Sequence, residues 1–509
     1  MLPPGKDPVM VLVRAAGVPV GRFELPDGVT SGALANAIPA AVADAALRAG
    51  LASLLGNGPP ARTLTVADAL AAACTGPVTP PDAPTITVAI CTKDRVHQLE
   101  RALASVAQSL GPADEVLVID NASSGDAVER LLRQRFSSAK YVREDRPGLS
   151  WARNRAIVEA RSDVIAFCDD DCVMEPDTLA ALRTVLARNP DVDAVTGLVE
   201  PLRLGGPSDR LFDLYFASER RYRRRWVHAP HSASVARDVG NTGLYGTGAS
   251  LAVRRKVFDR VGVFDAALGP GTPCGAGDDM EFLFRMLKRG GLLVCEPRTS
   301  VRHEHRAGVS ELEEQVESWS RGFACAVERS KLAFPEERMP YTILMARIAL
   351  LYHARRAATQ PAIRRLAMAE LRGIPGARNR YAASRRGAES TASSVPSPAG
   401  DARPDEPRRH NGIAPSRTSR MTVDLGSIRE PLEAGAGAAL VTLDIRTSGQ
   451  SLGTATVTPS RDGVVGVDRL QDTVIDYLAP ALMVRRWDEA VAESRSILQE
   501  NLLKVPRGQ

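Results

Sequence analysis

Four apolar runs in the first part of the chain stop abruptly at polar residues, and this pattern narrows the fold more than any other feature. TITVAICTKDR (85–95) reads as a strand meeting a polar loop, with a helix from about His97 to Ser109 behind it. EVLVIDNASSGD (115–126) is a second strand with Asp120 and Asn121 at its carboxyl tip, and YVRED (141–145) is a third. SDVIAFCDDDC (162–172) is a fourth, apolar until it meets three consecutive aspartates. Strands that are apolar throughout and alternate with amphipathic helices predict an α/β fold with a parallel sheet covered on both faces. In open sheets of that kind ligands sit beyond the carboxyl ends of the strands, so these polar tips are expected to share one crevice.

Composition excludes several classes. At 509 residues the length suggests about three domains, and 44% hydrophobic with 25% charged residues is neither disordered nor collagen-like. Seven scattered cysteines without a C-x-x-C pair suggest a reducing, cytoplasmic compartment. The opening MLPPGKDPVM lacks a basic stretch followed by an apolar core, and no uncharged apolar run reaches the roughly 18 residues of a membrane span. The nearest candidate, YTILMARIALLYH (341–353), is broken by Arg347 and reads as a core-facing helix, with peripheral membrane contact as the open alternative. The formal net charge of +5 resides in residues 376–420, which hold nine Arg against four acidic residues, so the remainder is neutral. A nucleic-acid partner is therefore not expected.

Five regions follow. Residues 1–82 read as an accessory hairpin and helix, 83–330 as the domain of alternating strands and helices, and 331–375 as a helical extension. Residues 376–420, rich in Ser, Ala, Pro and Arg, read as a disordered linker, because so little apolar surface cannot offset ordering entropy. Residues 421–509 form a second accessory unit related to the first. VLVRAAGVPVGRFEL (11–25) lies over LDIRTSGQSLGTATV (443–457), matching Arg14 with Arg446, Gly17 with Gly449 and Gly21 with Gly453. A lone hairpin is barely stable, so the two copies are expected to pair into one composite unit.

Three clusters carry chemistry. Asp169, Asp170 and Asp171 repel one another unless a cation compensates, and oxygen ligands favour Mg²⁺ or Mn²⁺. GPGTPCGAGDDMEFLFRMLKRGG (269–291) leads through glycines to Asp278 and Asp279 at a helix start, with Glu281 in the first turn. The helix dipole explains one such carboxylate, and another is placed to act as a general base. In TSVRHEHR (299–306), His303 and His305 face the same way on an extended chain, and either one suits a metal or phosphate. A fourth cluster, ERRYRRRW (219–226), has five arginines interleaved with aromatics. It reads equally as an anionic-acceptor contact or a solvated helix face.

Four motifs in series, VAICTKDR, VIDNASSGD, PGLSWARNRAI leading to IAFCDDDC, and GTGASLAVRRKVFDRVGVFDAALG leading to GAGDDMEFLFRMLKRGG, give residues 83–330 a recognisable pattern. The region resembles the inverting nucleotide-sugar glycosyltransferases of family 2, which have the GT-A fold; the terminal units lie outside the resemblance. It implies a mostly parallel sheet, a nucleoside-diphosphate sugar donor and a hydroxyl acceptor that is a glycan, lipid-linked or small. It also implies a Mg²⁺ or Mn²⁺ cofactor and a place in cell-surface glycan or glycolipid synthesis. Carried over by position, Thr92, Asp94, Asp120, Gly148, Arg153, Asn154 and Asp169 are expected to hold the donor. Asp169, Asp171 and one of His303 and His305 are expected at the metal, Asp279 as catalytic base, and Gly248, Ser250, Asp278 and Glu281 on the acceptor side. Asp278 stands where the family usually has Glu, and Ser250 where it often has Asn. A nucleotidyltransferase would want a glycine- and arginine-rich loop after the first strand, which CTKDRVHQ lacks; a catalytically silent scaffold is the other competing reading.

Overall fold

The repeat at the two ends is a repeat of backbone pairing. The computed structural model describes residues 9–15, 18–25, 48, 80, 82–203, 206–216, 222–228, 245–306, 308–335, 338–394, 417–425, 428–435, 438–447, 450–460 and 462–479. The chain divides into one compact unit of Met1–Val78, Tyr222–Trp226 and Gly412–Gln509, and a second of Thr79–Arg221 and Val227–Asn411. In the first, β1 (Val9–Ala15) and β2 (Val18–Leu25) form an antiparallel hairpin. Val13 pairs with Gly21, the register then slips, and Arg14 and Ala15 pair with Pro19 and Val18. Strands Ala438–Thr447 and Gln450–Val457 repeat this at a constant offset of 432: Ile445 pairs with Gly453, then Arg446 with Ser451 and Thr447 with Gln450. A bulge at the same place bends both hairpins before their turns. The Ala-rich helix expected after β2 lies outside the described residues.

The C-terminal hairpin packs Val441, Leu443 and Ile445 against Leu470, Val474 and Ile475 of the helical residues 467–479. One turn apart on that helix, Asp468, Asp472 and Asp476 meet the arginine cluster. Arg223 Nη1 lies 2.9 Å from Asp476, Arg224 Nη1 lies 3.6 Å from Asp472 and 3.7 Å from Asp468, and Trp226 Nε1 donates to Asp472 at 2.7 Å. Of the two readings of this cluster, the anionic-acceptor contact loses ground at Arg223 and Arg224, which an internal row of carboxylates already compensates.

The second unit contains β3 (Ile86–Thr92), β4 (Glu115–Asn121), β5 (Lys140–Glu144), β6 (Val164–Asp169), β7 (Cys172–Met174), β8 (Ala194–Pro201), the last two residues of a short β9 (Arg225–His228), β10 (Ser250–Arg254) and β11 (Leu292–His303). The sheet path runs β5-β4-β3-β6-β10-β8-β11-β7. Neighbours are parallel from β5 to β6 and between β8 and β11, whereas β10 runs antiparallel to both β6 and β8, and β7 antiparallel to β11. Ala89, Ile119, Ile165 and Phe167 share a core with Ala152 and Ala156 of the helix Leu149–Glu159 and Phe282 and Met286 of the helix Asp278–Lys288. The alternating residues Val88, Ile90, Val118 and Val164 are equally closed to solvent, so both sheet faces are covered, as the apolar strands required.

The linker expectation is corrected over Ala377–Ser394, which is a helix. Tyr381 is buried and donates from its hydroxyl to Asp265 at 2.8 Å, and Ser384 donates to the Ala267 carbonyl at 2.6 Å. A few anchors on one face suffice where composition alone reads as disorder. The segment 341–353 is likewise two-faced: Tyr341 and His353 are buried, while Ile343 and Tyr352 are exposed. Among the described residues no helix is long and apolar enough to cross a membrane.

Tyr381→Ala is expected to cost about 3–5 kcal/mol, the usual range for truncating a buried aromatic. Urea unfolding of the full chain, followed by far-ultraviolet circular dichroism, measures it; an unchanged midpoint would mean the helix does not depend on this anchor.

Candidate active site

Strand register brings the polar tips level. On β3, Thr92 lies opposite Asp120 of β4, and Cys91 opposite Asp169 of β6. Asp120 is buried at the end of its strand; its Oδ2 accepts from the Tyr141 hydroxyl at 2.8 Å and lies 3.4 Å from Arg143 Nη1. Its Oδ1 is buried without a hydrogen-bond partner among the described residues. A carboxylate oxygen in that state is costly unless a donor arrives, so it is shaped to accept one. Asp94, with φ 54°, ties the neighbouring loops instead: its carboxylate accepts from the Ser124 N–H at 2.8 Å and hydroxyl at 2.9 Å.

The three aspartates point to three different partners. Asp170 turns inward, accepting from Thr92 Oγ1 at 2.8 Å and Arg95 Nη1 at 3.1 Å. Burial nonetheless pushes its carboxyl up to about 6, against the pull of Arg95. Asp171 lies 3.0 Å from Arg95 Nη1 and 3.2 Å from His303 Nε2. Burial works to raise its carboxyl, but the His303 hydrogen bond and charge, helped by Arg95, hold it down at about 2. For His303 the loss of hydration opposes protonation, and the hydrogen bond and charge of Asp171 overcome it to raise the imidazole above its ordinary 6.5. Asp169 lies 3.3 Å from Arg153 Nη2. Its carboxyl is raised by burial, while Arg153 pulls the other way.

Arg153 joins this tip to the helix Asp278–Lys288. Its guanidinium, almost fully buried, reaches Asp278 Oδ2 with Nη1 at 2.5 Å and Asp169 with Nη2. Room for it depends on Gly248, where a Cβ would come within 2.2 Å of Nη2. Gly248 in turn donates its N–H to Asp279 Oδ2 at 2.6 Å. The helix begins after Gly277, whose φ of 94° suits glycine and where a Cβ would meet the Gly322 carbonyl at 2.4 Å. Adjacent carboxylates thus part company: Asp278 is buried against Arg153, and Asp279 stays partly exposed beside the Gly248 turn.

Several expected site residues are held in structural contacts. Glu281 is buried in an ion pair with Arg285 at 2.8 Å, because helical spacing carries it round to the core. Asn154 clamps the backbone of Phe264, donating to its carbonyl and accepting from its N–H, each at 2.9 Å. Ser250 donates to the Thr299 carbonyl at 3.0 Å beneath the turn. His305 lies beyond the end of β11 yet stays beside His303, with ring centroids 5.5 Å apart; it also packs on Phe212 at 4.0 Å between centroids and lies 3.8 Å from Asp209, while His303 is the one that meets Asp171. Gly148, at φ 131°, caps the helix Leu149–Glu159 and donates its N–H to Asn121 Oδ1 at 2.9 Å.

Sequence reasoning passed over Arg95, Tyr141, Arg143 and Cys172. Arg95 sat inside a quoted motif, and Cys172 closed the acidic run, but only the register shows what they face. Ligand atoms of Asp171, Cys172 and His303 all lie within 4.8 Å of one another. A carboxylate and an imidazole at that separation fit a single divalent ion.

Residues 87–262 match the family model described as glycosyl transferase family 2. Over 120 residues the chain is 30% identical to the glucosyl-dolichyl phosphate glucuronosyltransferase of Haloferax volcanii, covering 23% of this chain and 38% of that one. Over 179 residues it is 25% identical to a glycosyltransferase of Nostoc sp., covering 35% of this chain and 52% of that one. The chain thus spans less than two thirds of either relative. A mannosyltransferase of Pyrobaculum calidifontis, solved with GDP-Man and Mn²⁺, aligns over 71% of this chain and 97% of its own, at 19% identity and a TM-score of 0.38.

Glu281→Gln leaves Arg285 buried without its charge partner, and a loss of about 3–5 kcal/mol is expected. The folded Glu281 carboxyl is held below its ordinary 4.5: burial works to raise it, and Arg285 and Arg329 outweigh that. Its stabilisation is therefore complete above that pH and fades as pH falls through the folded value. Urea unfolding across an acid series checks both the loss and a shallower acid limb in the variant.

Proposed function

We propose, from the membership of its central domain in glycosyl transferase family 2, that this chain moves a glycosyl group from a nucleoside-diphosphate sugar to an acceptor hydroxyl. The observation that carries this reading is the sharing of Arg153 between Asp169, on the Asp-x-Asp strand tip, and the helix start that bears Asp279. Donor-side and acceptor-side groups are thereby held in one rigid piece. Level with them, Asp120 offers a buried, unused oxygen suited to an N–H of the nucleotide base. Thr92 acts from below by holding Asp170, and Asp94 and Gly148 shape the loops around the nucleotide.

Asp171 and His303 would hold a divalent cation, Mg²⁺ or Mn²⁺, which supplies charge neutralisation for the departing diphosphate. Asp169, turned to Arg153, is assigned to the sugar or ribose hydroxyls. Asp279 takes the proton of the acceptor hydroxyl as its oxygen attacks the anomeric carbon from the face opposite the diphosphate. That single displacement inverts the anomeric centre. The Gly248 N–H keeps one Asp279 oxygen oriented in the first turn of its helix, where the helix dipole favours negative charge. The name of the Haloferax relative supports a lipid-linked acceptor and a place in glycan or glycolipid assembly, with any membrane contact peripheral.

Nucleoside-diphosphate release from a panel of sugar nucleotides, with and without Mn²⁺ or Mg²⁺, tests the reaction. Asp279→Asn is expected to lower transfer by about 10²- to 10⁴-fold, the usual contribution of a general base, with donor binding by calorimetry retained. Lost donor binding with an otherwise folded protein would move Asp279 out of this role.

A further inference from the structure

The acidic tip is closed by a side chain that oxygen-ligand chemistry does not call for. Cys172 and His303 are direct cross-strand partners on β7 and β11, so their side chains leave the sheet on the same face. The Glu304 N–H, donating to the Asp171 carbonyl at 3.0 Å, keeps that register in place one residue further on. The result brings a carboxylate oxygen, a thiol sulfur and an imidazole nitrogen within 4.8 Å of one another. Bonds of about 2.3 Å to sulfur and 2.0 Å to nitrogen at tetrahedral angles place ligand atoms roughly 3.5 Å apart, so modest side-chain adjustment completes a coordination shell. Cys172 is fully buried, while the Asp171 and His303 side chains are 16% and 17% exposed. An ion would therefore enter past the carboxylate and imidazole and meet the sulfur at the back.

We propose that Cys172 is a third protein ligand of this centre, and that Asp171, Cys172 and His303 together bind Zn²⁺ in the absence of any donor. The inference rests on the assignment of Asp171 and His303 to the metal in the preceding reading. Mg²⁺ demands octahedral oxygen and gains nothing from a thiol, whereas Zn²⁺ takes thiolate, imidazole and carboxylate together and outranks Mn²⁺ for such donors. Binding replaces the thiol proton, which passes to solvent. Three protein ligands leave a fourth position for water or a phosphate oxygen. Zn²⁺ and the ion of the transfer reaction consequently compete for Asp171 and His303.

The reduced, metal-free full chain is titrated with Co²⁺ as an optical probe, and Zn²⁺ affinity is read by competition. One equivalent of Co²⁺ is expected to produce a thiolate-to-metal charge-transfer absorption that Zn²⁺ abolishes. Cys172→Ser, and Cys172→Ala as a second variant, should lose that absorption and weaken Zn²⁺ binding by about tenfold or more, with far-ultraviolet circular dichroism unchanged. Mn²⁺ binding should survive in both variants. Co²⁺ bound without the charge-transfer absorption, or Zn²⁺ bound equally well by the variants, would overturn the proposal. If Mn²⁺ does not bind while the Co²⁺ absorption appears, the metal assignment of the transfer reaction fails and the thiolate centre stands.

Discussion

Arg153 is the interaction on which the rest of the active region depends. Its guanidinium is buried between Asp169, at the tip of β6, and Asp278, at the start of a separate helix. A charge removed from water must be compensated in place, so each carboxylate holds Arg153 and Arg153 holds both elements at a set separation. The glycine at 248 exists for the same reason: any side chain there would occupy the guanidinium's space. That glycine's N–H then orients Asp279. One buried cation thus links the Asp-x-Asp strand, the turn before β10 and the proposed base.

Around that link, negative charge is assembled faster than it is cancelled. Asp169, Asp170 and Asp278 all have carboxyls raised by burial, with neighbouring carboxylates adding to the effect. Arg95 and Arg153 are the cations that make the cluster tolerable, with His303 beside Asp171. His303 belongs to the same balance, its imidazole raised by the hydrogen bond and charge of Asp171 against the opposing effect of burial.

Much of this was legible from residue order. Apolar strands with polar ends announced the sheet, and three adjacent aspartates announced a strand tip in need of compensating charge. The hairpin repeat, read from a few Arg and Gly matches, proved to extend to the bulge itself. Glu281 was misread because a carboxylate in a helix's first turn looks the same whether it faces a crevice or Arg285. His303 and His305 do keep their rings together at 5.5 Å between centroids, but β11 ends at His303 and it is His303 that meets Asp171. Residues 377–394 read as a linker because Tyr381 and Ser384 are too few to register in composition, although they are sufficient to dock a helix.

By itself the sequence determined which segments become strands, which strand ends are polar, and that residues 11–25 and 443–457 share one hairpin pattern. These follow from local patterning, since periodicity and polarity act within a few residues. Only the tertiary structure decided which of two histidines meets Asp171, that Cys172 stands beside them, and that Asp278 and Asp279 face opposite ways. Those outcomes depend on register between strands and on burial against residues more than a hundred positions away, and neither is written in any local stretch of the chain.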